Sequence, residues 1–283
     1  MRKLAGAMLV TMTALATGQQ QSDTKELRVL DIRAQQTPEK IAASAPCQRA
    51  LESPHRIILQ NSVTAPQTLV PDLNTLMEKS DEVILAGASN RYTFVLSPSG
   101  ENVVGYFEVK VIRSWKGVHK VGDILTFGVP AGVMQCTDSE SHRVAQVSAM
   151  YGVFDRKYGK FGKYVWQKDY YIGPYILFLR HAQGEEAQRV AGLFPTAGEG
   201  LQGMYPVDIP VAGEEERQCT GVPPGSLDWC ASLLESSQYH VVVPYLYDPL
   251  NKKYNGMPIS QFLSEVRTVA ASQGLEEKFA PAR

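Results

Sequence analysis

Residues 151–171 carry the densest chemistry in the chain, with Tyr151, Phe154, Tyr158, Phe161, Tyr164, Trp166, Tyr170 and Tyr171 in one short window. Arg156, Lys157, Lys160, Lys163 and Lys168 interleave with them against only Asp155 and Asp169, leaving a local charge of +3. Aromatic faces stack on sugar rings or bases, and ammonium and guanidinium groups meet carboxylate or phosphate. Tyr158, Lys160, Phe161, Lys163, Tyr164 and Trp166 are therefore the candidate ligand contacts, on a hairpin whose tip falls at Gly159 and Gly162. The competing reading is structural, because such a hairpin can pair its aromatics across strands and leave its lysines in water.

A second set of residues could do covalent chemistry. Cys136 and His142, with Asp138 and Glu140 between them, would suit a thiol–imidazole pair or a small metal site. The spacing matches no common zinc motif, and GxSxG, HExxH, a glycine-rich phosphate loop and CxxC are all missing from the sequence. His55, His119, His181 and His240 stand singly and read as surface or strand-end residues. No catalytic residue, metal or cofactor is assigned on these grounds. A Cys136–His142 hydrolase is the remotest alternative.

The redox state of Cys136 depends on where the chain lives. Arg2 and Lys3 precede an uncharged, mostly apolar run over 4–15, and Ala14-Leu15-Ala16 fits a signal-peptidase site. The run is shorter than the roughly 20 residues that span a bilayer, so residues 1–16 read as a cleaved signal peptide with no membrane anchor. The expected compartment is the periplasm or the medium, where an even cysteine count is a disulfide framework with three possible pairings. Cys219–Cys230 comes first, since Pro223, Pro224 and Gly225 turn the chain back on itself, and closing that loop is worth about 3 kcal/mol. Cys47–Cys136 follows by elimination, at about 4 to 5 kcal/mol.

Without Arg2 and Lys3 the chain has 26 basic and 29 acidic residues, a charge near −3. That gives no global attraction to nucleic acid or anionic lipid, so the expected partner is a protein or glycan of the cell envelope. At 283 residues, 44% hydrophobic and 20% charged, the chain has the composition of a globular protein with a sizeable core.

The elements that must position these residues are mostly strands. The stretch YFEVKVIRSWKG alternates, with Phe107, Val109, Val111 and Arg113 on one face and Tyr106, Glu108, Lys110 and Ile112 on the other. Further strands are expected over 83–95, 103–115, 124–129, 144–154, 164–179 (broken at Gly173-Pro174) and 201–207, separated by Gly, Pro, Ser and Asn turns. A short helix capped by Asp72 precedes them. A weaker helix over 39–51 is interrupted by Pro46, and the charge run 214–217 is a solvated loop. Residues 258–273 form a closing helix with Ile259, Phe262, Leu263, Val266, Val269 and Ala270 on one stripe.

SDEVILAG, YFEVKVIRSWKG, GDILTFGV, Cys136, YILFLR and LQGMYPV together resemble a bacterial secreted family with a netrin-like, or tissue-inhibitor-of-metalloproteinases-like, barrel. The resemblance spans about 80–207. It implies a mainly β fold, an OB-like β-barrel with an N-terminal extension, an inserted β-hairpin and a C-terminal α-helix. It also implies that Trp115 packs at a strand end and that Gly117 supplies the turn. The organisation expected is a signal peptide over 1–16, an extension over 17–70, the barrel over 71–210 with its insertion near 137–171, and a disulfide loop, strand and helix over 211–283. The animal inhibitors of this fold chelate zinc through an N-terminal cysteine, whereas cleavage after Ala16 would leave Thr17 first, so that chemistry does not carry over. Exported, non-enzymatic binding is the function expected, and a protease-inhibitor module acting through the barrel rim is the alternative.

Overall fold

A computed structural model describes residues 27–61, 69–130, 132–138, 140–150, 174–197, 202–208, 239–241, 243 and 249–279. At its centre five strands close into a barrel: β2 (Glu82–Leu96), β3 (Val103–Lys116), β4 (Ile124–Val129), β7 (Tyr175–His181) and β8 (Leu193–Pro195). Their order around the barrel is β2-β3-β4-β8-β7 and back to β2. Only β4 and β8 run parallel, meeting at Phe127 and Leu193, and every other contact is antiparallel. This is an OB-type barrel, mainly β, with a C-terminal helix docked on it. β9 (Met204–Asp208) and β10 (His240–Val241) extend the sheet from β7.

The alternation in each strand explains the layers. Ile84, Ala86, Val109, Val111, Leu125, Phe127, Leu177 and Leu179 point inward and fill the barrel. Val83, Leu85, Ile176 and Phe178 take the opposite face and meet the helices. β7 is apolar along most of its length because both of its faces are covered. α4 (Leu73–Lys79), α6 (Pro249–Tyr254) and α7 (Ile259–Ser272) form the outer layer, with Leu76, Met77, Tyr254 and Phe262 against Trp115 and Tyr205. Asp72 caps α4, its carboxylate accepting the Thr75 N–H at 2.7 Å. Gly274, at φ +70, ends α7, and the chain then adds Lys278 to β3 at Ser114.

A second sheet of three strands lies beside the barrel. β5 (Gly132–Thr137) and β6 (Val144–Met150) form a hairpin inserted after β4, and β1 (Ile57–Asn61) joins β6 in parallel. α2 (Pro38–Ala43) and α3 (Ala45–Glu52) pack on this sheet, and a disulfide joins Cys47 of α3 to Cys136 of β5 with Cα atoms 5.5 Å apart. α1 (Val29–Ala34) lies on the outer face of β2 and β3, and α5 (Glu186–Arg189) sits in the β7–β8 connection.

Several sequence expectations change here. The strand expected over 144–154 is β6, in the inserted sheet, and the insertion begins earlier than expected, with β5 at Gly132. The barrel is closed by β8, three residues that had not been expected to form a strand, and β1 and β5 had likewise gone unread. The helix expected over 39–51 is two helices that meet at Ser44, with Pro46 in the first turn of the second. Arg113 is not on the inward face with Val111. The β2–β3 register shifts beside Ile112, and Arg113 turns to Glu277 and to the ring of Phe279.

Candidate functional site

The strand-end motif Trp115-Lys116-Gly117 proves to be architectural. Trp115 is buried among the helical layer. Lys116 Nζ donates to the carbonyls of Met77 and Glu78, each at 2.9 Å, and so caps the C-terminal end of α4, where the Met77 carbonyl also accepts the Ser80 N–H. Gly117 has φ +113, and a Cβ there would fall on the carboxylate of Glu82. That carboxylate is buried and accepts the Val118 N–H at 2.9 Å, with His119 Nδ1 at the same distance. The adjacent Asp81 carboxylate takes the backbone N–H and ring nitrogen of His181 at 2.8 and 3.1 Å. Two of the histidines read as solitary therefore sit on consecutive carboxylates, a pairing across loops that their sequence positions do not reveal.

The Cys136–His142 pair does not survive as a nucleophile. Cys136 is buried and disulfide-bonded, so no thiol remains there. Asp138 instead organises the β5–β6 turn, accepting the backbone N–H groups of Glu140 and Ser141 at 2.9 and 2.6 Å and the Ser141 hydroxyl at 2.9 Å. The bond from the Ser141 N–H, then that from its hydroxyl, lowers the Asp138 pKa. His142 is exposed in this turn with φ +53. Among the described residues no group of three or more His, Cys, Asp or Glu is placed to hold a metal ion.

The opposite end of the barrel has a different character. Tyr92, Phe94, Phe107, Phe127 and Tyr175 form one connected row of rings. Tyr92 lies on Phe107 with centroids 6.1 Å apart and planes inclined by 27°, and Phe127 meets Tyr175 edge-on at 6.1 Å. The row is buried at Tyr175, where burial raises the phenol pKa, and it reaches the surface at Tyr92, which is 42% exposed. β2 and β3 place Tyr92 opposite Phe107, and β4 places Phe127 opposite Phe107, so register alone assembles the row. Phe94 also touches the inserted sheet, and the absence of a side chain at Gly132 makes the room, since a Cβ there would stand 2.6 Å from the ring.

Tyr158, Lys160, Phe161, Lys163, Tyr164 and Trp166 lie outside the described residues, as do Cys219, Cys230 and the 1–16 segment. The structure does fix where the 151–173 segment is rooted. It departs from β6, whose Ala149 pairs with Gly132 beside Phe94, and it rejoins the barrel at Tyr175. Both attachment points border the aromatic row. Tyr92 and Phe94 had not been singled out in the sequence; their i, i+2 spacing was the available signal, facing Phe107 across a hairpin.

The outer face of β2 and β3 is covered in this chain. Val29 and Ile32 of α1, Val190 of the β7–β8 connection and Phe194 of β8 pack on Val95, Val104 and Tyr106. Comparison with protein-family models, with characterised proteins and with solved structures returns no match. No helix among the described residues is long and apolar enough to cross a membrane.

Proposed function

We propose that this chain is an exported, non-enzymatic binding protein of the netrin-like class, and that its ligand is a cell-envelope glycan held at the aromatic end of the barrel. The observation that carries the proposal is the ring row from Tyr175 to Tyr92, emerging beside both roots of the 151–173 segment. The exposed ring of Tyr92, held on a strand, loses little conformational freedom on binding and offers a flat face to a sugar ring. The lysines Lys160 and Lys163 then supply charge for the carboxylates of an acidic glycan, and Tyr158, Phe161, Tyr164 and Trp166 further stacking faces. The N-terminal segment supports export, and the disulfide suits an oxidising compartment.

Binding to purified, labelled envelope glycans tests this directly. A stacking residue is worth about 1 to 3 kcal/mol where such platforms have been truncated, so Tyr92→Ala should weaken binding roughly tenfold while the chain stays folded, its stability lowered by about 1 kcal/mol for the lost contacts to Phe94 and Phe107. Trp166→Ala should weaken it similarly, and Lys160→Ala with Lys163→Ala should weaken it mainly at low salt. Full binding by Tyr92→Ala and Trp166→Ala together would refute the reading.

A further inference from the structure

The outer face of β2 and β3 is covered by α1 and carries a buried charge beneath it. The Glu108 side chain has no exposed surface, and the side chains around it, Val95, Val104, Tyr106, Val190 and Phe194, are largely apolar. A carboxylate in such a place is costly unless it is paired and hydrogen-bonded. Arg28 answers it with two bonds, Nε donating to Oε1 at 3.0 Å and Nη2 to Oε2 at 3.4 Å. The Val29 backbone N–H donates to Oε1 at 3.2 Å, and Arg91 Nη1 stands 3.9 Å from Oε2.

The segment that makes these contacts is lightly attached. Of α1 only Val29 and Ile32 are buried, and Leu30 is 60% exposed. Leu27 covers Gly192, and Gln36 Oε1 accepts the Leu96 N–H at 3.2 Å. Segments with few buried side chains open at free energies well below that of global unfolding. An arginine fork on a buried carboxylate, followed by two apolar side chains on one side of a short helical turn, is how a protein grips a foreign peptide.

We infer that this face is a peptide-binding groove, filled in cis by residues 27–36, which accepts in trans a peptide of the same chemistry. That chemistry is an arginine whose guanidinium and following N–H reach Glu108, with apolar side chains at the next position and three further on. The groove lies on the outer face of the sheet, whereas Tyr92 and Phe107 lie on the inner one, so the two proposals stand or fall separately. The tethered segment has a high effective concentration, so a free peptide competes well only when the tether's own contacts are weakened.

The test uses the full-length protein and a fluorescent peptide with the sequence of residues 27–36. An Arg28→Ala, Val29→Ala variant should bind it at least tenfold more tightly than the unmodified chain does. Adding Glu108→Gln to that variant should remove the gain, and a peptide with alanine for its arginine should bind no better than a scrambled one. Equal binding of the scrambled and authentic peptides to the Arg28→Ala, Val29→Ala chain would overturn the inference. Hydrogen exchange on the unmodified chain gives an independent reading. The amides of Val29 and Ile32 should exchange faster than those of Val109 and Val111, and exchange of both sets only through global unfolding would make residues 27–36 a fixed part of the core.

Discussion

Glu82 and Gly117 show how one small residue can carry a motif. The glycine is required twice over, by its φ of +113 and by the carboxylate that occupies the space of a side chain. Gly117→Ala should therefore destabilise the fold by about 2 kcal/mol or more, which urea denaturation would register, while Gly100→Ala, with open space around it, should cost only its backbone strain of about 1 kcal/mol. Tyr106 is a titrating counterpart. Burial holds its phenol up at about 12 against an ordinary 10.0, and the Ala191 N–H donated to it at 2.7 Å pulls weakly the other way. The folded chain keeps this proton after the unfolded chain has lost it, so stability is intact below pH 10.0 and declines as pH rises from there to about 12. Tyr175, raised by burial, acts in the same direction. The denaturation midpoint of Tyr106→Phe should fall less steeply over that alkaline range than that of the unmodified protein, and identical slopes would count against the assignment.

Among the elements, the closing helix was legible because its apolar stripe has a single period and clear stops. Ile259, Phe262, Leu263, Val266 and Ala270 are all buried, as the spacing requires. Phe262 meets Tyr205 at 4.9 Å and Tyr254 at 4.7 Å, so Phe262→Ala should cost about 3 to 5 kcal/mol in chemical denaturation. The long strands of the barrel were legible for the same reason, their alternation persisting over many residues. β8 was not, since three residues ending in proline give no periodic signal and only the closure of the barrel makes them a strand. Of the inserted sheet only β6 was expected, because β5 is short, with no clear alternation in its sequence, and β1 comes from a distant part of the chain. The aromatic row failed to show for a related reason. Its five members come from four strands, and only the register puts Tyr92, Phe107 and Phe127 side by side.

For the molecule as a whole, the disulfide has a mechanical meaning. Cys47 and Cys136 are separated by 89 positions, and β2, β3 and β4 all lie between them. Tension applied at the two ends of the chain passes covalently through the sulfur bridge, so the first three strands of the barrel cannot be drawn out between them. At about 3.4 Å of extension per residue, the bridge withholds roughly 300 Å of contour from stretching. In single-molecule pulling, the oxidised chain should reach full extension about 300 Å short of the reduced one. A chain tugged at either end would thus yield its outer parts first and keep the enclosed strands unextended.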